Sequence, residues 1–175
     1  MKLAAAKPAE RLQHLQDRYP RQSIKFWISA WLPVALGVCV IMVESTKTFG
    51  ADHTSHPLRM LWEAIFGPVS NAHWAVVHIA IRKTGHFLGY GFIGVAWLRA
   101  WWITLPNSLF LEDAFLALIG TSLVASLDEL HQSYLPNRNG TPWDVLVDCS
   151  GALTLQVAVY FWLRLFRPRK LLREE

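Results

Sequence analysis

Four long apolar blocks set the strongest constraint on how this chain can fold. They cover about residues 26–43, 86–105, 113–134 and 143–163, and the first block holds eighteen residues without a charge. A helix needs about 20 apolar residues to cross a hydrocarbon core of about 30 Å. The blocks therefore predict an all-α membrane protein with four transmembrane helices, whose first partner is the lipid bilayer.

The composition and the distribution of charge agree with this class. Charged residues make up 17% of the chain, whereas about 25% is usual in soluble proteins. Basic residues gather before the first block and after the last one, and the positive-inside rule places such segments in the cytoplasm. We therefore expect a multi-pass protein of the cytoplasmic (inner) membrane, with a basic cytoplasmic arm at 1–25 and a basic cytoplasmic tail at 164–175. The basic residues of these two cytoplasmic segments account for the isoelectric point near 9.3. No nucleic-acid partner is therefore expected.

The long connection between the first two blocks would lie outside the cytoplasm. It covers residues 44–82 and begins as a polar loop. Residues 58–66 and 74–81 are then predicted to form two short helices, with Gly67 and Pro68 between them. The apolar stripe of the second helix is typical of a helix lying in the membrane interface.

The third block ends in charged residues. Residues 114–127 carry no charge, but fourteen helical residues reach only about 21 Å. A helix that spans the membrane must therefore continue through Asp128 and Glu129. Ionisable groups at such a depth usually face the protein interior and are functional. The alternative is a helix that ends at Leu127 and leaves both acids in water.

Two more polar groups are predicted at the same end of the protein. Lys83, His86 and Tyr90 open the second block and share one helical face, and Asp144 and Asp148 lie one turn apart in the fourth block. The second and fourth spans start outside, and the third span ends there. All three polar groups should therefore lie near the extracytoplasmic face.

Small residues predict where the helices pack closely. Gly85 and Gly89 form a small-x-x-x-small pair, and Gly94 and Gly151 continue the polar faces of their helices. Thr141 is expected to cap the fourth span, because Pro142 suits the first helical position.

In order and spacing, the polar residues resemble those of the VanZ-like family of bacterial membrane proteins. The resemblance rests on Lys83-x-x-His86-Phe87-x-x-Tyr90, Asp128-Glu129-x-x-Gln132, Pro136-x-Arg138 and Asp144-Val145-x-x-Asp148-x-x-Gly151. It implies one VanZ-like transmembrane domain over residues 26–163, placed in the cell envelope. It also implies the link of this family to resistance against the glycopeptide teicoplanin. It implies no reaction.

The first of three candidate functions is that of an accessory envelope protein. Its polar cluster would bind the anionic headgroup of a lipid or of a cell-wall intermediate, with charge-assisted hydrogen bonds to phosphate or carboxylate. The expected binding residues are Lys83, His86, Tyr90, Gln132, Arg138, Asp144 and Asp148.

The other two candidates are an enzyme and a structural cluster. A membrane-embedded enzyme acting on an envelope lipid would use His86 with Asp128 or Glu129 as an acid/base pair or as ligands of a metal ion. No H-E-x-x-H or G-x-S-x-G signature is present. The sequence requires no cofactor or metal, and Asp128 and Glu129 are the weak candidates for a metal ligand. In the structural alternative, the polar cluster only holds the helices together.

Overall fold

Helices account for nearly all of the chain that the computed structural model describes. The described residues are 23–46, 49–105, 107–135 and 140–166. Within them the helices are α1 (Ile24–Glu44), α2 (Ala51–Phe66), α3 (Asn71–Thr104), α4 (Phe110–Ser133) and α5 (Pro142–Phe166). The predicted all-α class is confirmed. Most of the predicted arm and tail lies outside the described residues.

Three of these helices are long and apolar enough to cross a membrane by themselves. They are α1, α4 and α5, with 21, 24 and 25 residues. Helices α2 and α3 meet at a bend of 105° and pass the same test only as a pair, which raises the number of candidate spans to four. The prediction of a multi-pass membrane protein is therefore confirmed.

The described bundle buries many small and polar residues beside a few large ones such as Leu98, and it exposes most of its large apolar side chains. Ala30, Ala100, Ala117, Ala125 and Ala152 are fully buried. Large apolar side chains such as those of Phe92, Leu123 and Phe161 are exposed. This arrangement suits a bilayer, where burying large apolar side chains gives no advantage and close packing of small residues drives helix association.

Helix α4 continues through the two acids that the sequence analysis singled out. It runs to Ser133, and Asp128 and Glu129 are 8% and 5% exposed. The alternative, in which the helix ends at Leu127 and both acids are wet, is wrong. Hydrogen bonds to groups inside the bundle offset the free-energy cost of burying the two acids.

The connection between α1 and α3 differs from the sequence-based prediction. Helix α2 already begins at Ala51, and residues 74–81 belong to the first turns of α3. Gly67 ends α2 with a φ of 87°, a conformation that favours glycine. Ser70 then caps α3 by accepting a hydrogen bond from the N–H of His73, at 3.3 Å.

The stripe expected to face the membrane interface packs on α2 instead. Trp74 is buried, and its Nε1 donates to Ser55 Oγ at 2.8 Å. His78 Nε2 lies 3.2 Å from Thr54 Oγ1. The helical period correctly indicated one buried face, but this face contacts protein. Sequence periodicity cannot distinguish a face that contacts protein from one that contacts lipid.

Arg59 fastens the bend between α2 and α3. Its guanidinium donates to Glu63 Oε1 at 2.8 Å, to the carbonyl of Val69 at 2.6 Å and to Asn71 Oδ1 at 2.7 Å. Three diverging hydrogen bonds of this kind need the planar fork of arginine.

Arg59→Lys is therefore expected to loosen the bend while the helix bundle stays folded. Lysine keeps the charge but cannot reach all three acceptors from one point. Hydrogen exchange of residues 67–71 should become about tenfold faster, the equivalent of losing about 1.4 kcal/mol of local stability. Exchange in α5 serves as the internal control. Unchanged exchange at the bend would contradict this role of Arg59.

Helices α3 and α5 approach each other through glycine. A β-carbon at Gly94 would lie 2.8 Å from the β-carbon of Ala152, and one at Gly151 would lie 2.0 Å from the carbonyl oxygen of Phe87. The predicted packing roles of Gly94 and Gly151 are confirmed. At Gly85 and Gly89, a β-carbon would meet no described atom outside the backbone of its own helix within 4 Å, so this pair does not mark a close contact inside the described bundle.

Candidate functional site

Polar side chains from three helices gather at one end of the bundle, which we call the polar end. It comprises residues 82–90 of α3, residues 128–133 of α4 and residues 141–148 at the start of α5. The end predicted for the third span and the start predicted for the fourth therefore lie together. The predicted start of the second span does not hold, because α3 begins at Asn71 and residues 82–90 lie within it.

A cavity of about 290 Å³ lies at the polar end. This volume is at the lower limit of pockets that bind small molecules, which run from about 300 to about 1,000 Å³. Six of the site residues predicted from the sequence line it: Lys83, His86, Glu129, Gln132, Asp144 and Asp148.

An ion pair stands at the rim of this cavity. Lys83 Nζ contacts Asp144 Oδ1, and the side chains of Lys83 and Asp144 are 51% and 26% exposed. Thr141 Oγ1 donates to Asp144 Oδ2 at 2.8 Å and accepts a hydrogen bond from the N–H of Asp144 at 3.3 Å. Thr141 is thus the cap of α5, as predicted. Asp144 both closes the cap and orients the lysine.

Deeper in the cavity, one histidine and two acids come together from three different helices. His86 Nδ1 lies 3.4 Å from Asp148 Oδ1. Glu129 Oε2 accepts a hydrogen bond from the backbone N–H of Thr141 at 3.0 Å. One nitrogen or oxygen from each of His86, Glu129 and Asp148 lies within 4.8 Å of the other two. We call these three residues the His-Glu-Asp cluster.

Asp128 belongs to a separate buried network. Tyr90 Oη donates to Asp128 Oδ2 at 3.0 Å, and Gln132 Nε2 donates to the same oxygen at 2.9 Å. Tyr90 and Asp128 line a second cavity of about 10 Å³, which His86 and Gln132 also border. Such a volume corresponds to about one water molecule. The predicted site therefore comprises a large cavity and an adjoining buried network, and His86 and Gln132 border both cavities.

The end of α1 joins this network. Ser45 is buried, and its Oγ lies 3.1 Å from His131 Nδ1. His131 therefore faces α1 and not the large cavity. The predicted binding residue Arg138 lies outside the described residues.

Two polar groups at or beside the large cavity escaped the sequence analysis. Arg82 lines the cavity, although its sequence position indicated only a loop charge. The available signal was that Arg82 directly precedes Lys83. The backbone N–H of Thr141, which holds Glu129, has no signal in the sequence because every residue except proline carries this donor.

Comparison with known proteins yields a family match. A sequence model of the VanZ/LLP1 family matches residues 30–164, which include the whole polar end and most of every candidate span. Neither the comparison with curated proteins nor the one with solved structures finds a match.

Proposed function

The chain belongs to the VanZ/LLP1 family, and we propose that it is an accessory protein of the cell envelope that binds an anionic headgroup. The headgroup would be that of a membrane lipid or of a cell-wall intermediate. The polar end would face the extracytoplasmic side, with both termini in the cytoplasm, as the positive-inside rule predicts. The observation that carries the proposal is the cavity of about 290 Å³ at this end, with basic side chains at its rim.

The rim of the cavity has the chemistry to hold phosphate. Lys83 is half exposed and its ammonium contacts Asp144, but an ammonium group has three donors. Arg82 lines the same cavity, and its guanidinium can hold two phosphate oxygens at once. Asp144 is tied to Thr141, so the lysine is held in place before a ligand arrives. Such preorganisation lowers the entropy lost on binding.

The position of the cavity along the helices also suits a headgroup. Helix α4 ends at Ser133 and α5 begins at Pro142, so the cavity lies where the apolar lengths of two candidate spans stop. Lipid phosphates lie at this level of a bilayer, just outside the hydrocarbon core. A lipid whose acyl chains lie along the bundle would therefore place its phosphate near the rim.

Lys83→Ala is expected to weaken binding of an anionic lipid about tenfold, because one charge-assisted hydrogen bond contributes about 1.5 kcal/mol or more. The measurement is native mass spectrometry of the purified protein, titrated with phosphatidylglycerol and, separately, with phosphatidylcholine. Lys25→Ala is the matched control. Lys25 is an exposed lysine in the first turn of α1, at the end of that helix that is remote from the polar end.

The same titration distinguishes the proposal from the structural alternative. Binding should weaken in Lys83→Ala and not in Lys25→Ala, while the melting temperatures of both variants stay near that of the original protein. Equal affinity of the two variants for phosphatidylglycerol would overturn the proposal. A purely structural cluster would instead lower the melting temperature of Lys83→Ala and leave the affinity of the folded protein unchanged.

A further inference from the structure

Asp148 is a buried carboxylate that the described part of the chain leaves without a hydrogen bond. Its side chain is fully buried, and neither of its oxygens has a hydrogen-bond partner among the described residues. It lines the large cavity. An ionised carboxylate that is buried without compensation costs several kcal/mol. Asp128, by contrast, accepts two hydrogen bonds on one oxygen. Among the described residues, Asp148 has an ion-pair contact with His86 at 3.4 Å but no hydrogen-bond donor.

The spacing between Asp148 and His86 fits two ligands of one metal ion. Their nearest atoms, Oδ1 and Nδ1, are 3.4 Å apart. A charge-assisted hydrogen bond between nitrogen and oxygen is shorter, about 2.7–2.9 Å. Two ligands that each lie about 2.1 Å from a tetrahedral ion are about 3.4 Å apart. The pair is thus too far apart for a strong hydrogen bond and has the separation of neighbouring metal ligands.

Glu129 supplies a third ligand from a third helix. One ligand atom from each of the three residues lies within 4.8 Å of the other two, so small movements of side chains would close the set around an ion. The N–H of Thr141 donates to Glu129 Oε2, and such contacts orient the ligands of metal sites. We propose that His86, Glu129 and Asp148 bind a divalent cation at the floor of the large cavity.

The charge of the cluster agrees with a divalent ion. Lys83, which lines the same cavity, contacts Asp144 at the rim. Within the cluster, two carboxylates therefore face one histidine. An ion of charge +2 offsets both carboxylates and allows the imidazole to be neutral, as a metal ligand must be.

The donor set indicates which cations to test. One imidazole nitrogen with two carboxylate oxygens suits Zn²⁺ or Mn²⁺ better than Ca²⁺ or Mg²⁺, which prefer oxygen ligands alone. Cys149 follows Asp148 in the chain, but its Sγ lies 3.1 Å from Ser122 Oγ on α4 and is not among the ligand atoms of the cluster. Three protein ligands would leave a coordination position open toward the cavity.

The site goes beyond the proposed headgroup binding and does not rest on it, because the metal can be measured without any added lipid. The full chain is purified in detergent, stripped with a chelator and titrated with Zn²⁺ and with Mn²⁺ by calorimetry. Elemental analysis then counts the ions retained. We expect one ion per chain, and affinities at least about tenfold lower in His86→Ala and Asp148→Asn.

Two neighbouring acids provide the matched controls. Asp128→Asn changes the hydrogen bonds to Tyr90 and Gln132, and Asp144→Asn changes the rim. Both variants should retain the ion, because neither residue belongs to the His-Glu-Asp cluster. Size-exclusion profiles and melting temperatures establish which variants are folded, and Glu129→Gln replaces Asp148→Asn where that variant is not. Absence of saturable binding to the original protein, or equal affinity in the folded cluster variants and the controls, would overturn the site. Loss of lipid binding alone would bear only on the headgroup proposal.

Discussion

Gly151→Ala is expected to destabilise the folded bundle by about 3 kcal/mol, the upper end of the usual range for overpacking. The new β-carbon would lie 2.0 Å from the carbonyl oxygen of Phe87 and 2.8 Å from its carbonyl carbon. Both are backbone atoms of α3, so no side-chain rotation relieves the clash. Helices α3 and α5 must separate, and the contact between Gly94 and Ala152 is lost with them.

Gly89→Ala is the matched control for this substitution. Gly89 also lies inside a helix, but a β-carbon there would meet no described atom within 4 Å. Alanine should then be neutral or stabilise the helix by up to about 1 kcal/mol. Thermal unfolding of both variants in the same detergent makes the comparison. Similar melting temperatures would contradict the close approach of α3 and α5.

Tyr90→Phe is expected to lower the free energy of unfolding by about 2 kcal/mol, within the range for hydrogen bonds to charged groups. The substitution removes the donor that lies 3.0 Å from Asp128 Oδ2 and leaves only Gln132 on that oxygen. Tyr90 is 1% exposed, so Asp128 loses a donor that is fixed inside the bundle. The adjacent cavity of about 10 Å³ has room for about one water molecule, which would offset only part of this loss.

Tyr134→Phe is the control for the loss of a phenolic hydroxyl. Tyr134 follows the last turn of α4 and is 78% exposed, so its hydroxyl is hydrated in any case. The melting temperature of Tyr134→Phe should equal that of the original protein, whereas that of Tyr90→Phe should fall by several degrees. Metal titration of Tyr90→Phe adds a second readout, because the His-Glu-Asp cluster does not include Asp128. A fall in stability without a loss of the ion is the expected pattern.

The two proposals assign different charges to different depths of one cavity. Arg82 and Lys83 stand at or near the rim, where a phosphate would bind, and Glu129 and Asp148 lie below it. An anion alone would be repelled by these inner acids. A cation in the cluster would remove that repulsion, so chelation should weaken lipid binding if both sites are occupied together.

Much of the site could be predicted because the length of an apolar block and the position of its charged residues indicate where a membrane helix ends. Asp128 and Glu129 sit where an apolar block would otherwise be too short, and buried acids at that depth must be compensated. The shared helical face of Lys83 and His86 follows from their spacing alone. The partners of Lys83 and His86 could not be predicted from spacing, because Asp144 and Asp148 lie about sixty residues further along the chain.

The assignment of the two acidic networks could not be predicted. Asp128 and Glu129 are neighbours in sequence and looked equally suited to a metal or to acid/base chemistry. In the folded chain they point to different helices: Asp128 meets Tyr90, and Glu129 meets the start of α5 at Thr141. Successive helical residues diverge by about 100°, so the rotation of α4 in the bundle decides which acid faces the large cavity.

The class of protein, the helices that bound the polar end and the ionisable residues found there could all be predicted from the order of the amino acids. These follow from block length, helical period and the cost of charge in lipid, all of which are local properties. Two features required the folded chain: Asp148 lies beside His86 without a hydrogen-bond donor among the described residues, and Arg82 lines the cavity. Such contacts depend on how closely α3 and α5 approach. That distance is set by Gly94 and Gly151, whose partners lie on another helix.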